Sequence, residues 1–359
     1  MIIILLILIT LLVLMVISAT KILHHFYFIK KIKNKWISWL VACIPILFIL
    51  LLFNTVNFAV IIMHFILFTG IAKLIMLVIK KIHPKDFAFY LEGSLAIILT
   101  TVYLLIGFYL DYHVFETTYN INTEKEIGQD FFRIIQISDS HIGTTFDGNG
   151  FEEHLKKIST INADIIAITG DFVDDDTKKI DMIKSCQALS LLRPKYGIYF
   201  IYGNHDEGYS QTRDFTSDDL EKELIKNNVI VLKDDVKKIN ENIYIVGRKD
   251  KSQKRKAIKE LVNDIPEDKY IIDLNHQPND YDEEKKYVDL VLSGHTHGGQ
   301  LFPLGIIGTT IGANDKTYGI EKRNNTYFIV NSGISNWALS FKTGTKSEYG
   351  IINILTKKM

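Results

Sequence analysis

The sequence predicts an α/β domain preceded by an all-α domain of four membrane-spanning helices. Residues 1–110 are almost continuously apolar and hold nine lysines against only two acidic residues. In residues 111–359, short apolar runs alternate with helical patterns, and 32 basic side chains stand against 39 acidic ones. The formal net charge of zero is therefore the sum of a basic first part and an acidic second part, which are interpreted separately.

The apolar part contains four stretches close to the roughly 20 apolar residues that a helix needs to cross a bilayer. They span residues 2–19, 37–53, 56–79 and 94–110. A signal peptide is the alternative for the first stretch. It lacks a basic start and a small-x-small cleavage site, however, and three further apolar segments follow it. We therefore expect a transmembrane domain over residues 1–110.

The lysines of this domain are concentrated in two loops, between helices one and two and between helices three and four. They are Lys21, Lys30, Lys31, Lys33 and Lys35 in the first loop, and Lys80, Lys81 and Lys85 in the second. The positive-inside rule keeps such loops in the cytoplasm. The sequence therefore predicts a multi-pass cell-membrane protein whose residues after 110 lie outside the cytoplasm.

The second part begins with a polar stretch, residues 111–128, that lacks periodicity and is interpreted as a linker. Residues 129–359 then form the predicted α/β domain, in which several Ile/Val-rich runs lack alternation, as expected for strands covered on both faces. Helical patterns cover residues 151–160, 178–192 and 217–226. The predicted strands are residues 131–138, 164–169, 197–202, 229–232, 242–247, 270–274, 288–292, 326–331 and 348–354.

Five of these strands are followed directly by Asp, Asn or His side chains. Because ligands gather at the carboxyl ends of strands in α/β sheets, the five loops can converge on one site. Seven side chains are candidate metal ligands: Asp139, His141, Asp171, Asn204, His276, His295 and His297. The loop that carries Asn204 also contains His205 and Asp206.

The donor atoms in these loops are oxygen and imidazole nitrogen, without thiolate. Such donors suit Mn²⁺, Zn²⁺ or Fe²⁺ in an open catalytic site. Seven ligands are too many for one ion, whereas two ions roughly 3.5–4 Å apart, bridged by a carboxylate, would use them all. Two such ions clamp a phosphoryl group and lower the pKa of a shared water, which yields a hydroxide nucleophile.

The order of the motifs DSH, GD, GNHD, a later His and GHTH resembles the calcineurin-like metallophosphoesterases, over roughly residues 130–355. The segments LNHQP, GHTHGGQLFP and NSGISNW…GTKSE are similar to its bacterial membrane-anchored branch. That branch includes transmembrane metallophosphoesterase-domain proteins and relatives of the lipid UDP-2,3-diacylglucosamine pyrophosphatases. The resemblance implies a four-layer α/β/β/α sandwich for residues 129–359.

The resemblance also implies a role for each motif residue. Asp139, His141 and His297 would hold one divalent ion, Asn204, His276 and His295 the other, and Asp171 would bridge them, with Mn²⁺ the favoured metal. His205 would assist the leaving oxygen while the bridging hydroxide attacks, and Asp206 would orient the His205 imidazole. The basic residue near the final strand is Lys342, where related proteins often carry Arg.

The acidic run Asp174-Asp175-Asp176 is interpreted as a solvated turn before a helix rather than as further ligands. The expected activity is hydrolysis of a phosphate ester, phosphodiester or pyrophosphate, with a lipid-linked substrate favoured by the membrane tether. A non-catalytic membrane receptor with a structural metal site is one alternative, but all nine motif positions are intact. A nuclease is the other, and the acidic domain opposes nucleic-acid binding.

Overall fold

A computed structural model describes residues 2–82, 89–208 and 213–356 of the chain. The chain divides into two compact units, Met1–Phe108 and Tyr109–Met359. Lys85, one of the predicted cytoplasmic lysines, lies outside the described residues.

The first unit consists of helices. In the described part of the chain, four helices are long and apolar enough to cross a membrane, and each covers most of one predicted stretch. Their shared core contains Ala19, Ile46, Phe58, Ile62 and Phe65. The helices are α1 (Ile2–His24), the short α2 (Tyr27–Lys30), α3 (Lys35–Leu52), α4 (Thr55–Ile82) and α5 (Leu91–Tyr112), of which α5 extends into the second unit.

The second unit is built on two six-stranded sheets. The order of the first sheet is β1-β12-β2-β3-β4-β5 and that of the second is β10-β11-β9-β8-β7-β6. The first-sheet strands are β1 (Phe115–Thr123), β2 (Phe131–Ile137), β3 (Ile165–Thr169), β4 (Ile198–Ile201), β5 (Val229–Leu232) and β12 (Glu348–Thr356). The second-sheet strands are β6 (Asp235–Lys238), β7 (Ile243–Gly247), β8 (Tyr270–Leu274), β9 (Leu290–Ser293), β10 (Gly319–Arg323) and β11 (Thr326–Val330).

Helices cover the outer faces of both sheets. On the first sheet they are α6 (Gly148–Ile158), α7 (Lys179–Leu189) and α8 (Ser217–Lys226); on the second they include α9 (Ile258–Val262) and α10 (Tyr281–Glu284). A separate apolar core of Ile, Leu and Tyr side chains fills the space between the sheets. The layers are therefore α/β/β/α, which confirms the four-layer prediction. The remaining helix, α11 (Gly305–Thr310), has no buried side chain.

Local chemistry explains why these elements form where they do. Strands β3 and β4 pair in parallel and are buried on both faces, so their sequences are continuous apolar runs rather than alternating ones. Helix α8 begins with a capping box, in which Thr216 accepts from the Asp219 N–H and the Asp219 carboxylate accepts from the Thr216 N–H.

The interpretation of residues 111–128 as a linker is wrong. Residues 115–123 form β1, which pairs in parallel with β12 from Phe115 opposite Glu348 to Thr123 opposite Thr356. Its exposed and half-buried residues alternate until Ile121, which is fully buried between the sheets. An edge strand exposes one face and one side to solvent, so its sequence lacks the apolar run by which the inner strands were recognised.

Candidate active site

The predicted ligands lie at the carboxyl ends of strands in both sheets. Asp139 and His141 follow β2, Asp171 follows β3 and Asn204 follows β4, all in the first sheet. The second sheet contributes His276 after β8, and His295 and His297 after β9. The site therefore lies where the carboxyl edges of the two sheets meet, as the position of the motifs predicts.

Five of these residues have left-handed backbone conformations that non-glycine residues rarely adopt. Their φ angles are 49° at Asp139, 37° at His141, 51° at Asp171, 71° at His295 and 48° at His297. Residues are kept in such conformations when surrounding contacts hold them, at a cost of about 1–3 kcal/mol each. Here the Asp139 N–H donates to the Gly170 carbonyl at 3.0 Å and the His141 N–H to the Asp171 carbonyl at 3.0 Å. Adjacent loops thus hold each other in place.

One group of donors comprises Asp139, His141 and His297, whose ligand atoms all lie within 4.8 Å of one another. The Nε2 atoms of His141 and His297 are 3.2 Å apart, and His297 Nε2 lies 3.7 Å from Asp139 Oδ1. All three residues are buried. The structure brings together the three side chains assigned to the first ion.

A second group comprises Asp171, His276 and His295, again within 4.8 Å of one another. Asp171 Oδ2 is 3.1 Å from His276 Nε2 in this group and 3.7 Å from His141 Nε2 in the first group. The same carboxylate oxygen thus faces both donor groups. Asn204 is buried in the adjoining loop, where the N–H of the next residue, His205, donates to Asp171 Oδ1 at 2.8 Å.

The His276 ring tests whether these residues fit a metal ion. Its Nδ1 is 2.7 Å from the carbonyl oxygen of Thr169 and donates a hydrogen bond to it, so Nε2 is the nitrogen that faces the cluster. Nε2 lies 3.1 Å from Asp171 Oδ2, and despite burial the charge of Asp171 raises the pKa of His276 well above its ordinary value. A positive charge is therefore favoured between this nitrogen and the carboxylate, and the oxygen and imidazole donors present fit a divalent ion.

Electrostatics within the cluster are strongly coupled. Burial raises the pKa of Asp139, whereas the nearby His276 holds the pKa of Asp171 well below its usual range despite burial. Burial and the neighbouring His276 lower the pKa of His295 to about 4, and burial with His141 lowers that of His297 well below its ordinary value. Neutral imidazoles at these two positions have lone pairs available for a metal.

Asp174 is a site residue that sequence reasoning missed. Its Oδ2 is 3.1 Å from His141 Nδ1 and its Oδ1 is 3.1 Å from His205 Nδ1, so one carboxylate contacts a predicted ligand and the predicted catalytic imidazole. Asp174 is 8% exposed, which contradicts the expected solvated turn. The Thr177 hydroxyl accepts from the Asp174 N–H at 2.7 Å and thereby turns this side chain inward. A Thr three residues after the first Asp of the run is the one signal that could have identified it.

The prediction that Asp206 orients His205 is wrong. The Asp206 carboxylate is fully buried and accepts from the backbone N–H groups of Phe172 at 2.8 Å, Val173 at 3.0 Å and Gly203 at 2.8 Å. Burial, followed by the charge of Asp171, raises the pKa of Asp206 to about 7. Asp206 therefore joins the loops after β3 and β4 beneath the site, whereas Asp174 contacts the His205 imidazole.

Lys342 is not available to a phosphate group. Its side chain is fully buried, and Nζ donates to the carbonyl oxygens of Ser332 and Ser335, each at 2.8 Å. These bonds hold the loop at residues 332–335, which in turn contacts the loop after β2. The N–H of Ile334 donates to Ser138 O at 2.9 Å, and that of Ser335 donates to Asp139 O at 3.3 Å. The lysine thus has a structural role.

The chain is similar to known proteins. The family model for the calcineurin-like phosphoesterases matches residues 132–299. An uncharacterized metallophosphoesterase from Aquifex aeolicus is 33% identical over 249 residues, which cover 67% of this chain and 91% of the relative. A Danio rerio transmembrane protein with metallophosphoesterase domain is 26% identical, over 63% of this chain and 53% of the relative. The crystal structure of TT1561 from Thermus thermophilus aligns with a TM-score of 0.37 and 12% identity, covering 56% of this chain and 89% of that one.

Proposed function

The chain belongs to the calcineurin-like phosphoesterases, and on that premise we propose that it hydrolyses a phosphate ester, phosphodiester or pyrophosphate bond of a lipid-linked substrate. The observation that carries the proposal is the position of Asp171. Its Oδ2 faces His141 in one donor group and His276 in the other, so one carboxylate joins two metal-binding groups. A shared carboxylate is the feature expected of a two-metal hydrolase.

We propose two divalent ions, with Mn²⁺ favoured over Zn²⁺ and Fe²⁺ because oxygen and imidazole donors are mixed. Asp139, His141 and His297 would hold one ion, and Asn204, His276 and His295 the other, with Asp171 common to both. When bound, the pair supplies a Lewis acid for the phosphoryl oxygens and lowers the pKa of a coordinated water.

His205 is the proposed proton donor to the leaving oxygen. With Nδ1 against Asp174 Oδ1 at 3.1 Å, the ring has a fixed orientation and uses Nε2 as its second donor. Burial alone lowers the pKa of His205, but the hydrogen bond to Asp174 and the charge of Asp171 outweigh it, so the pKa lies above its ordinary value. A raised pKa favours the protonated imidazole, which is the form that a general acid requires.

The membrane-spanning helices support a lipid-linked substrate. The described residues include four helices that can cross a bilayer, and the Danio rerio relative is named a transmembrane protein. A tether raises the effective concentration of the site at the membrane, which favours a substrate that is confined there. The bilayer itself is thus a proposed partner, and no nucleic acid is required.

The proposed chemistry is tested with the purified full-length chain, Mn²⁺ and bis-p-nitrophenyl phosphate. We expect His205→Ala to lower turnover by about 100-fold or more, the usual contribution of a general acid. Asp171→Asn should lower both turnover and the metal content. The matched control is Asp176→Asn, an exposed acid in a neighbouring turn. Unchanged turnover in both site variants would refute the assignment.

We also propose that the second unit lies outside the cytoplasm, because the lysine-rich loops favour the cytoplasmic side. Glu126 is exposed beyond β1 and Lys33 is exposed in the first lysine-rich loop. In a chain with Cys43 replaced by Ser, Glu126→Cys should react with an impermeant thiol reagent in intact cells and Lys33→Cys should not; Cys186 is fully buried. The reverse labelling pattern would overturn this orientation.

A further inference from the structure

The second unit has a concentrated patch of exposed apolar side chains. Of the eleven large hydrophobic residues exposed in the described part of the chain after residue 112, five lie within residues 302–311. Together with Trp337, which is 47% exposed, they form what we call the apolar rim. Its members are Phe302, Leu304, Ile306, Ile307, Ile311 and Trp337. Single exposed hydrophobics are ordinary on a protein surface, whereas a contiguous set indicates an interaction site.

The segment that carries the rim has no charged residue. Residues 298–314, GGQLFPLGIIGTTIGAN, lie between His297 and Asp315 without a single Asp, Glu, Lys or Arg. The short helix α11 in its middle buries none of its side chains. Water is a poor solvent for such a surface, and a lipid environment is a favourable one.

The rim borders the candidate active site. The Trp337 ring centroid is 5.4 Å from that of His205, the proposed proton donor. Gln300 Nε2 donates to the Trp337 carbonyl at 3.3 Å, and the N–H of Phe302 donates to Thr343 Oγ1 at 3.1 Å. Trp337 and the start of the apolar segment are thus tied to each other beside the catalytic imidazole.

Residues 110 and 111, which lie in the last turn of α5 and belong to this unit, contact the segment next to Trp337. The Asp111 carboxylate accepts a hydrogen bond from Asn336 Nδ2, and Asn336 is the residue immediately before Trp337. Ser347 adds two hydrogen bonds, from Oγ to the Asp111 carbonyl at 2.6 Å and from N–H to the Leu110 carbonyl at 2.8 Å. The point at which the chain leaves the helix is therefore fixed one residue away from the rim.

We propose that the apolar rim inserts into the interfacial layer of the bilayer that the transmembrane helices occupy. Tryptophan is enriched at that depth, and short apolar segments bind there by burying hydrocarbon area without spanning the membrane. Insertion holds the mouth of the metal site at the level of the lipid headgroups. A phosphate ester in a headgroup then reaches the site without the lipid leaving the membrane; only this consequence rests on the proposed function.

The insertion is tested by fluorescence quenching on the full-length chain, reconstituted in vesicles of equal parts phosphatidylethanolamine and phosphatidylglycerol. In a chain with Cys43 replaced by Ser, Ile306→Cys carries an environment-sensitive fluorophore. The control is Ile180→Cys, since Ile180 on α7 is 72% exposed and Ile306 is 63% exposed. We expect lipids brominated on their acyl chains to quench the label at 306 and to leave the label at 180 unchanged.

The functional consequence is tested by making the rim polar. The double variant Phe302→Ser/Ile306→Ser should lower kcat/KM on a vesicle-embedded phosphodiester lipid by about tenfold, through loss of effective concentration at the surface. Turnover of soluble bis-p-nitrophenyl phosphate should stay at the wild-type value, which also shows that the variant folds. Ile180→Ser/Ile225→Ser is the matched control, and both rates should be unchanged in it.

Equal quenching at positions 306 and 180 would overturn the proposal. A second result would also overturn it: the label at 306 is shielded from lipid quenching, and the shielding disappears when the chain is diluted among more vesicles. That result would show that the rim binds a second copy of the chain. If the wild type hydrolyses neither the soluble nor the lipid ester, the proposed function fails. The quenching comparison does not depend on activity and still decides whether the rim enters the bilayer.

Discussion

Replacing Asp174 by Asn is the sharpest test of how the active site is organised. The carboxylate accepts from His141 Nδ1 and His205 Nδ1, each at 3.1 Å, and Asn preserves its shape while removing its charge. An amide has only one oxygen, so its NH₂ group must face one of the two imidazole N–H groups. At least one ring therefore loses its partner and its fixed orientation.

The expected loss follows from the kind of contact that is broken. Carboxylates that orient metal-binding histidines typically contribute 10–100-fold to metal affinity or activity. We therefore expect kcat/KM to fall by about 10–100-fold, equivalent to about 1.4–2.7 kcal/mol of transition-state stabilisation. A loss of this size is smaller than that expected for Asp171→Asn, which removes the shared carboxylate itself.

The pH profile distinguishes orientation from a general structural effect. Hydrogen bonding to Asp174 raises the pKa of His205 against the lowering effect of burial. The proposed acid must be protonated, so activity falls as the pH rises through that pKa. Without the Asp174 charge the pKa of His205 drops, and the alkaline limb of the profile should move to lower pH.

The assay is kcat/KM for bis-p-nitrophenyl phosphate between pH 6 and 9, with the metal content of each sample measured in parallel. Asp176→Asn controls for removal of one acid from the same run and should behave as wild type. Wild-type kcat/KM and an unshifted alkaline limb in Asp174→Asn would refute the role assigned here to Asp174.

Four further outcomes are expected. Chelation with EDTA should abolish phosphodiester hydrolysis and lower the Tm, and Mn²⁺ should restore both; activity that survives full metal removal would contradict the two-metal site. Asp206→Asn should lower the Tm by about 5 °C, because a buried anionic acceptor of three N–H groups is lost, without moving the alkaline limb of the pH profile. Lys342→Met should destabilise the second unit by about 2–3 kcal/mol, measured by urea unfolding, since the Ser332 and Ser335 carbonyls lose a buried donor. Ile121→Ala should cost about 2–4 kcal/mol in the same assay, whereas a residue in a linker would show no effect.

The fold was predictable from sequence wherever burial was complete. Strands β3 and β4 are inaccessible on both faces, so their sequences are uninterrupted apolar runs. The strands that sequence reasoning missed, β1, β6 and β10, each lie at the edge of a sheet and carry polar residues on the exposed face. Whether such a segment forms a strand depends on its pairing partner, and the partner of β1 is β12, more than 200 residues later in the chain.

The site was predictable for the side chains that stand in glycine-flanked motifs and less so for those that support them. Histidines 295 and 297 have few apolar neighbours in sequence that would explain them otherwise, and the structure places each in a donor group. Asp174 makes the contact with His205 that was expected of Asp206, because both assignments depend on how the loops after β3 and β4 fold against each other. Among three consecutive aspartates, the side chain that turns inward is indicated only by Thr177, whose hydroxyl accepts from the N–H of Asp174 three residues earlier.

The position of β12 between β1 and β2 has a consequence for biosynthesis. The first sheet cannot be completed until residues 348–356 have left the ribosome, although its outermost strand, β1, is made directly after α5. During synthesis, β1 and β2 therefore both lack the neighbour that they share, and the first sheet stays incomplete until the last strand is made. In the orientation proposed above, in which the second unit is exported, this strand order would delay completion of the first sheet until the polypeptide has passed through the bilayer.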